Sequence, residues 1–391
     1  MKKLIFVNSH PAQYFVPLYA YLTESGIDTE VWFCSDEPLK GSFDKQFNVK
    51  LKWDIPLVAG YKALFFKNHS WKPSHHNGFF GLMNLGLIRA FFKQKNAVFV
   101  VHGWHYFTLF IILAFARFSS NRICFRIETP LNQDVYKKGF KTRIRRFFQK
   151  HVIFPGINNF LYIGKQNKAF FLASGVSEDQ LVFCPYAVDN KRFRDDYLRL
   201  KEHRIALREE LGLPISAKVI VSMGKYIYKK RPLDILESFR LLQDDKAWLV
   251  MVGEGGLRPE MEAYIQKYNL KQVVLTGFIN QSQVTKYYAV ADVYVMASGN
   301  EETWGLATNE AMNFNLPIVL SDRVGGASDL VVEGSNGYTY PLGDCQALAT
   351  KLHAIFNKEL SHAIISEEII KKYSFKTISS NLIAMDTDLK A

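Results

Sequence analysis

Short apolar runs alternate with longer amphipathic stretches along almost the whole chain. The runs are rich in Val, Ile and Leu, a pattern typical of parallel strands that helices cover on both faces. The candidate strands are 4–7, 29–33, 97–101, 123–127, 160–163 and 181–183 in the first half, and 218–222, 248–252, 273–275, 293–296, 317–320 and 337–340 in the second. Two such series predict an α/β protein with two Rossmann-like, doubly wound parallel-sheet domains that face each other across a cleft.

The boundary between the two domains is predicted where the apolar pattern breaks. A chain of 391 residues is too long for one compact core and suits two domains. The pattern breaks near residues 185–189, and a densely charged segment follows. We therefore predict a first domain of residues 1–187, a second of residues 188–372, and a C-terminal segment of residues 373–391 that crosses back to the first domain.

Cysteine usage and apolar run lengths exclude several classes of protein. The four cysteines are scattered and form no CxxC pair, which argues against a zinc cluster or a disulfide framework and fits a reducing compartment. The apolar run at the N-terminus is too short for a signal peptide. The longest apolar run, residues 107–116, is far shorter than the roughly 20 residues of a membrane span. We expect a cytoplasmic protein that is soluble or lies on a membrane surface.

Much of the net charge of +12 is concentrated in one segment. No acidic residue lies between Asp134 and Glu178, and the stretch from Lys137 to Lys150 interleaves seven basic residues with aromatic and aliphatic ones. This mixture suits peripheral contact with an anionic membrane. It equally suits a solvated basic face whose aromatic residues belong to the core. No nucleic-acid motif accompanies the charge, so a nucleic-acid partner is not expected.

Two glutamates that follow the candidate strand 293–296 predict a ligand site. Glu302 would lie in the loop after the strand, and Glu310 would lie one to two turns inside the next helix. The start of a helix offers unpaired amides to phosphate, whereas carboxylates accept hydrogen bonds from hydroxyls. The pair therefore indicates a ligand with central phosphates and hydroxyls at both ends, such as a sugar nucleotide. Two solvated glutamates on a surface helix are the alternative.

A basic loop follows the candidate strand 218–222. The strand leads to Gly224, Lys225 comes next, and Lys230 lies just before a proline that can begin a helix. Lysines at a strand end and a helix start can neutralise a diphosphate. An ordinary basic loop would have the same composition.

Three candidate strands in the first half end in polar side chains. Because the carboxyl ends of parallel strands line the binding crevice of an open sheet, these side chains are candidates for lining such a cleft. They are His10 and Gln13, then His102 and His105, then Arg126 and Glu128. No group of His, Asp and Glu has a spacing typical of a metal site, so no metal ion is expected.

A series of short motifs lies between about Pro185 and Phe375. They are Pro185-Tyr-Ala-Val-Asp189, Met223-Gly-Lys-Tyr226 with Lys230, Val252-Gly-Glu-Gly255, Leu275-Thr-Gly-Phe278, the block from Glu302 to Glu310, Gly325-Gly326 and Glu333-Gly-Ser-Asn-Gly337. In these motifs the second half of the chain resembles the retaining glycosyltransferases of family 4, which have the GT-B fold. The first half has Ser9-His10-Pro11 where many members have a glycine-rich loop, and so resembles a subgroup of surface-polysaccharide and lipopolysaccharide assembly enzymes.

The resemblance implies a role for each matching residue. Glu302 would hold hydroxyls of the donor sugar and Glu310 the ribose, while Lys225 and Lys230 would stabilise the departing diphosphate. The remaining donor-binding residues would be Gly224, Trp304, Gly305, Leu306 and Ala307. The residue near the anomeric carbon stays open between Arg126, Glu128 and a histidine of another loop.

The implied reaction transfers a sugar from a nucleotide sugar to a glycan or lipid-linked acceptor, with retention and without metal or other cofactor. Two alternatives stay open. The same fold could serve a sugar-nucleotide epimerase or a phosphorylase. The chain could also be a non-enzymatic basic module that binds an anionic lipid or polymer through residues 137–150.

Overall fold

The computed structural model describes residues 2–44, 49–51, 54, 56–361 and 365–387. The strands are β1 Lys3–Asn8, β2 Thr29–Phe33, β3 Ser42–Asp44, β4 Val49–Leu51, β5 Lys62–Phe65, β6 Ala97–His102, β7 Arg122–Arg126, β8 Asn159–Tyr162, β9 Leu181–Phe183, β10 Lys218–Met223, β11 Ala247–Val252, β12 Val273–Leu275, β13 Val293–Met296, β14 Ile318–Ser321 and β15 Gly337–Tyr340.

The helices lie between the strands in nearly regular alternation. They are α1 Val16–Glu24, α2 Leu85–Lys93, α3 Phe107–Ala114, α4 Leu131–Asp134, α5 Phe140–Phe148, α6 Lys165–Ala173, α7 Asn190–Leu200, α8 Arg204–Glu210, α9 Pro232–Leu242, α10 Arg258–Lys267, α11 Val284–Val290, α12 Leu306–Asn313, α13 Ala327–Leu330, α14 Cys345–Phe356, α15 Ser366–Ile370 and α16 Phe375–Thr387. Among these helices of the described chain, none has both the length and the apolarity that a membrane crossing requires.

The strands form two large parallel sheets. The first has seven strands in the order β5-β2-β1-β6-β7-β8-β9, and the second has six in the order β12-β11-β10-β13-β14-β15. The strand order reverses between β1 and β6 in the first sheet and between β10 and β13 in the second. Open α/β sheets bind ligands just beyond the carboxyl ends of the strands at such a reversal. The segments after β1, β6, β10 and β13 are therefore the expected ligand-binding segments.

All twelve predicted strands are present, and no strand end differs from its predicted position by more than one residue. The short strand β5 was missed because it has only four residues and lies at the edge of the first sheet, where Lys62 and Phe65 are exposed. The small two-stranded sheet of β3 and β4 was also missed.

Each large sheet has its own apolar core. In the first, Phe91, Phe99 and Trp32 are buried and pack ring against ring, with centroid distances of 4.7 Å and 5.3 Å between neighbouring rings. In the second, Val293 and Val295 of β13 pack with side chains such as Leu236 and Leu249. Burying each such side chain stabilises the fold by roughly 1.5–3 kcal/mol, which fixes the sheet beneath the loops that follow its strands.

The chain divides into two compact units. The first unit comprises Met1–Ser42, Ile55–Tyr186 and Phe375–Ala391, and the second comprises Phe43–Asp54 and Ala187–Ser374. The segment of residues 43–54 groups with the second unit, which differs from the uninterrupted first domain of residues 1–187 that the sequence predicted. Polar contacts contribute to this grouping, because the amide of Ser282 donates to the Asp54 carboxylate at 3.1 Å.

Helix α16, in the last part of the described chain, is an integral part of the first unit. The amide of Lys2 donates to Asp386 at 2.8 Å, and the Asn381 side chain donates to the carbonyl of Phe183 at 2.7 Å. The sulfur atoms of Cys124 and Met385 lie 3.5 Å apart in the interior. The helix thus contacts β7 and β9 as well as the beginning of the chain.

Candidate functional site

A small pocket lies at the carboxyl ends of β10, β11 and β13 in the second unit. Gly224, Lys225 and Lys230 line it, together with apolar side chains from the three strands. The loop that carries the lysines is fixed from below, because the hydroxyl of the buried Tyr226 donates to the carbonyl of Met251 at 2.7 Å. The two predicted lysines therefore lie at the reversal of the second sheet, on a supported loop.

The loop after β13 is held by a tight backbone contact. The amide of Gly325 donates to the carbonyl of Glu302 at 3.0 Å, and the amide of Gly326 donates to that of Trp304 at 3.1 Å. A Cβ atom on Gly325 would lie 1.9 Å from the carbonyl oxygen of Thr303, so only glycine allows this approach. The loop from Glu302 to Gly305 is thereby fixed before helix α12 begins.

Lys230 and Glu302, 72 residues apart in sequence, form an ion pair through Nζ and Oε2. Their side chains are only 21% and 14% exposed, so the pair is partly shielded from water. A second link joins the same two loops, because the amide of Gly299 donates to the carbonyl of Lys229 at 2.8 Å. The structure therefore brings together two of the predicted site residues from different loops.

Helix α12 begins directly after this loop. Gly305 precedes it with a φ of +92°, a left-handed conformation that favours glycine. The first amides of a helix have no acceptor within the helix, and the positive end of the helix dipole lies there. The amides of Leu306 and Ala307 are at this end, next to Glu302. Such a helix start suits a phosphate group.

Glu310 lies within α12 and is only 3% exposed. Its Oε2 accepts a hydrogen bond of 2.7 Å from the hydroxyl of Tyr288. Burial raises the pKa of Glu310 to about 7, against the lowering effects of Tyr288, Arg192 and Gln281. Among the described residues, Oε1 has no hydrogen-bond partner of good geometry. A ligand hydroxyl would satisfy this oxygen.

Trp304 lies beneath the loop rather than on its surface. It is 2% exposed, its indole N–H donates to Asn309 at 2.8 Å, and its ring lies 5.4 Å from that of Tyr373. Its contacts support the loop and the first turn of α12 from the interior.

A second cluster forms at the carboxyl ends of β1, β6 and β7 in the first unit. His102 Nδ1 lies 2.7 Å from Asn8 Oδ1, and its ring packs on Phe15 with a centroid distance of 4.7 Å. The guanidinium of Arg126 is buried, 5.3 Å from the ring centroid of Phe15 and 5.0 Å from that of Tyr186. Cation–π contacts of this kind stabilise a buried arginine.

Glu128 completes this cluster. Its Oε1 lies 3.8 Å from His102 Nε2 and 3.9 Å from Arg126 Nε. Burial raises the pKa of Glu128 while Arg126 lowers it, and burial together with Arg126 keeps the pKa of His102 well below its usual value. His102 is thus neutral, and the structure brings three of the predicted residues of the first half together.

The other predicted residues of the first half have different contacts. The ring of His10 packs on that of His75 at a centroid distance of 4.1 Å, and His105 is exposed and packs on Tyr106. Gln13 lies in the turn before α1, and its Oε1 is buried without a hydrogen-bond partner among the described residues.

Glu37, His75 and His76 form a group that the sequence did not reveal. Their potential ligand atoms all lie within 4.8 Å of one another. The adjacent histidines are visible in the sequence, but Glu37 lies 38 residues before His75 and no spacing rule connects it to them.

Helix α5 exposes both basic and aromatic side chains. Phe140 is 76% exposed and Phe147 is 59% exposed, so these rings are not part of the core. Asp134 pairs with Arg145 and Arg146, which ties the helix to the segment before it. The alternative in which the aromatic residues belong to the core is therefore wrong for these two rings.

Comparisons with known proteins agree with this geometry. Residues 203–374 match the family model of glycosyl transferases group 1. A segment of 221 residues is 27% identical to the sulfoquinovosyl transferase SQD2 of Arabidopsis thaliana and covers 55% of this chain and 41% of that protein. The chain is also 23% identical over 390 residues to the capsular polysaccharide biosynthesis glycosyltransferase CapM of Staphylococcus aureus. This match covers 93% of this chain and 91% of that protein. The chain spans less than half the length of several curated relatives that it matches, the Arabidopsis protein among them.

Solved structures share the fold over nearly the whole chain. A glycosyltransferase from Rickettsia africae is 16% identical with a TM-score of 0.75, and the match covers 98% of this chain and 97% of the other. The Anabaena protein HepE, solved in complex with UDP-glucose, is 14% identical with a TM-score of 0.70, covering 99% of this chain and 100% of the other. These likenesses confirm the predicted fold, the two Rossmann-like parallel-sheet domains of GT-B proteins.

Proposed function

We propose that the protein transfers a sugar from a nucleotide-sugar donor to a hydroxyl of a glycan or glycolipid acceptor. The match of residues 203–374 to the family model of glycosyl transferases group 1 supports this proposal. The observation that carries the proposal is the convergence of Lys230, Glu302 and the start of α12 at the reversal of the second sheet. Cations, helix-end amides and carboxylates at one place match the phosphates and hydroxyls of such a donor.

The difficult step is the cleavage of the bond between the anomeric carbon and the diphosphate. Negative charge develops on the leaving phosphate, and groups already fixed around it stabilise the transition state by about 3–4 kcal/mol each. Lys225, Lys230 and the amides of Gly305, Leu306 and Ala307 would supply this effect, so the donor step needs no metal ion. We infer retention of configuration, with the leaving phosphate taking the proton of the acceptor hydroxyl.

The ion pair between Lys230 and Glu302 would open when the donor binds. Lys230 would turn to the diphosphate, and the Glu302 carboxylate would accept hydrogen bonds from hydroxyls of the sugar. Glu310 would accept one from the ribose, which satisfies its buried Oε1. Lys230 and Glu302 would each lose their ion-pair contact and gain a contact with the donor in its place.

The acceptor side of the proposal rests on the first unit. His10, Gln13, His102 and His105 are candidates for acceptor binding, and Arg126 and Glu128 are candidates for the position near the anomeric carbon. The capsular polysaccharide enzyme among the relatives supports a role in bacterial cell-surface polysaccharide synthesis. Four free cysteines, three of them buried, support a reducing cytoplasm as the location.

A thermal-shift screen against UDP, GDP, ADP and CMP tests donor binding and identifies the base. Activity is then measured as nucleoside diphosphate release with the matching nucleotide sugars. Lys230→Ala and Glu302→Ala should each lower kcat by about 10²–10³-fold, because each removes a preplaced contact. Lys229→Ala, one position away in the same loop, is the matched control and should keep parental activity. Full activity in both site variants would refute the assignment.

Product analysis separates transfer from the other reactions that this fold serves. A transferase joins the sugar to an acceptor and releases the nucleoside diphosphate. An epimerase would return an altered sugar nucleotide, and a phosphorylase would consume or release a sugar phosphate. The expected mass spectrum therefore contains the acceptor plus one sugar residue.

We further propose that α5 binds an anionic membrane surface, where a lipid-linked acceptor would be found. The exposed Phe140 and Phe147 would enter the interface while the neighbouring basic side chains meet lipid phosphates. Co-sedimentation with vesicles should require anionic lipid and weaken at high salt. The double variant Phe140→Ser/Phe147→Ser should lose most of the binding, whereas Phe118→Ser, which changes an equally exposed ring in the same unit, should not. Equal binding of the two variants would exclude this surface.

A further inference from the structure

A group of potential metal ligands lies in the first unit, and none of its members lines the pocket of the second. Glu37 comes from a single turn of 3₁₀ helix, Glu37–Lys40, and His75 and His76 come from the loop before α2. His75 Nδ1 lies 2.8 Å from Glu37 Oε2. One potential ligand atom from each of the three residues lies within 4.8 Å of those of the other two.

The surroundings hold these side chains in place. The hydroxyl of Ser74 reaches both carboxylate oxygens of Glu37, at 2.9 Å and 3.2 Å. The hydroxyl of Tyr106 donates to the backbone carbonyl of His75 at 2.6 Å, which fixes the loop. Ligands of functional metal sites are typically oriented by such outer hydrogen bonds.

The imidazoles of this region pack against one another. The ring centroids of His10 and His75 lie 4.1 Å apart, and those of His75 and His76 lie 3.9 Å apart. The ring nitrogens of His75 and His76 and a carboxylate oxygen of Glu37 are thus close together, and imidazole nitrogens are common ligands of zinc.

We propose that Glu37, His75 and His76 bind a divalent cation of the zinc class. Bond lengths of about 2.0–2.2 Å in a tetrahedral site place neighbouring ligand atoms about 3.3 Å apart, within the range of separations seen here. Two imidazoles and one carboxylate favour zinc over magnesium or calcium, which prefer oxygen ligands. His76 is exposed, so the ion can enter from solvent.

The ion would join two segments of the first unit that are distant in sequence. Three protein ligands leave the fourth tetrahedral position for water or another ligand. His10, whose ring packs on His75, lies beside the site directly after β1. The site does not depend on the proposed sugar transfer, because its three ligands contribute nothing to the donor pocket.

Metal titration of the untagged full-length protein tests the site. After treatment with a chelator and dialysis, Zn²⁺ is titrated against a fluorescent indicator, and Co²⁺ is followed by its visible absorption. We expect one ion per chain with micromolar or tighter affinity and a cobalt spectrum typical of tetrahedral coordination. Glu37→Gln and His76→Gln should each weaken binding at least about tenfold.

Two controls make the result specific. His69→Gln removes an exposed histidine of the preceding segment and should leave the affinity unchanged. Lys230→Ala should bind the metal ion with parental affinity even if it abolishes sugar transfer. Failure of the metal-site proposal can therefore be distinguished from failure of the proposed sugar transfer. Circular dichroism establishes that each variant is folded. Absence of stoichiometric binding, or equal affinity in the parent, Glu37→Gln and His76→Gln, would overturn the proposal.

Discussion

Glu310→Gln should make the protein more stable at alkaline pH and at the same time weaken its binding of nucleotide. The carboxyl group is 3% exposed, and burial raises its pKa from the ordinary value of 4.5 to about 7. Glutamine has nearly the same shape and can still accept the hydrogen bond from Tyr288, but it cannot ionise. The substitution therefore removes the cost of a buried negative charge without creating a cavity.

The sign and size of the effect follow from the two pKa values. Between pH 4.5 and pH 7 the folded state keeps a proton that the unfolded chain has lost, so the free energy of unfolding falls as pH rises. One pKa unit corresponds to about 1.4 kcal/mol, which gives about 3 kcal/mol in total, most of which falls between pH 5 and pH 8.5. The stability advantage of the glutamine variant should grow by that amount over this interval.

Urea denaturation at pH 5 and pH 8.5, read by pulsed hydrogen exchange on peptides of α12 and β14, isolates the second unit. The exposed Glu368→Gln on α15 is the matched control and should show no comparable change with pH. Titration calorimetry should show nucleotide binding by Glu310→Gln weakened about tenfold or more, since a charged hydrogen bond to the ribose is lost. A stability difference that does not change with pH would refute the reasoning.

Two further predictions follow from the packing. Gly325→Ala should lower the melting temperature by several degrees and abolish donor binding, because the added Cβ would lie 1.9 Å from the carbonyl oxygen of Thr303. Gly256→Ala is the control. No atom lies within 4 Å of the carbon that it adds, so the melting temperature and donor binding should both stay unchanged. A variant truncated after Ser374 lacks α16, so a protease should digest its first unit while the second unit survives. Equal protection of both units would contradict the role assigned to α16.

The fold and the donor side could be predicted because their signals are local in sequence. Buried parallel strands such as β1 and β13 are nearly continuous apolar runs, and a polar residue follows each of them within two positions. Glu302 and Glu310 lie within one strand–loop–helix unit, so their proximity to a helix start could be inferred from spacing alone. The pairing of Lys230 with Glu302 then follows from the neighbouring positions of β10 and β13 in the sheet.

The features that escaped prediction depend on contacts between distant segments. Glu37 meets His75 only because two loops of the first unit fold together. Strand β5 is short and partly exposed at the edge of its sheet, so its few apolar residues do not distinguish it from a loop. Trp304 is a predicted donor-binding residue, but the sequence does not show that its ring packs in the interior against Tyr373. Whether an aromatic side chain of a loop points to solvent or to the interior depends on such packing.

The position of α16 has a consequence for how the protein is made. The first unit contains the beginning of the chain, yet Lys2, Cys124 and Phe183 all contact residues of α16. On the ribosome, most of this unit emerges before the second unit, but it is completed only when α16 has been synthesised. The second unit, encoded in between, has its whole sequence available earlier. The first unit therefore completes its fold after the second, and until then it exposes the surface that α16 will cover.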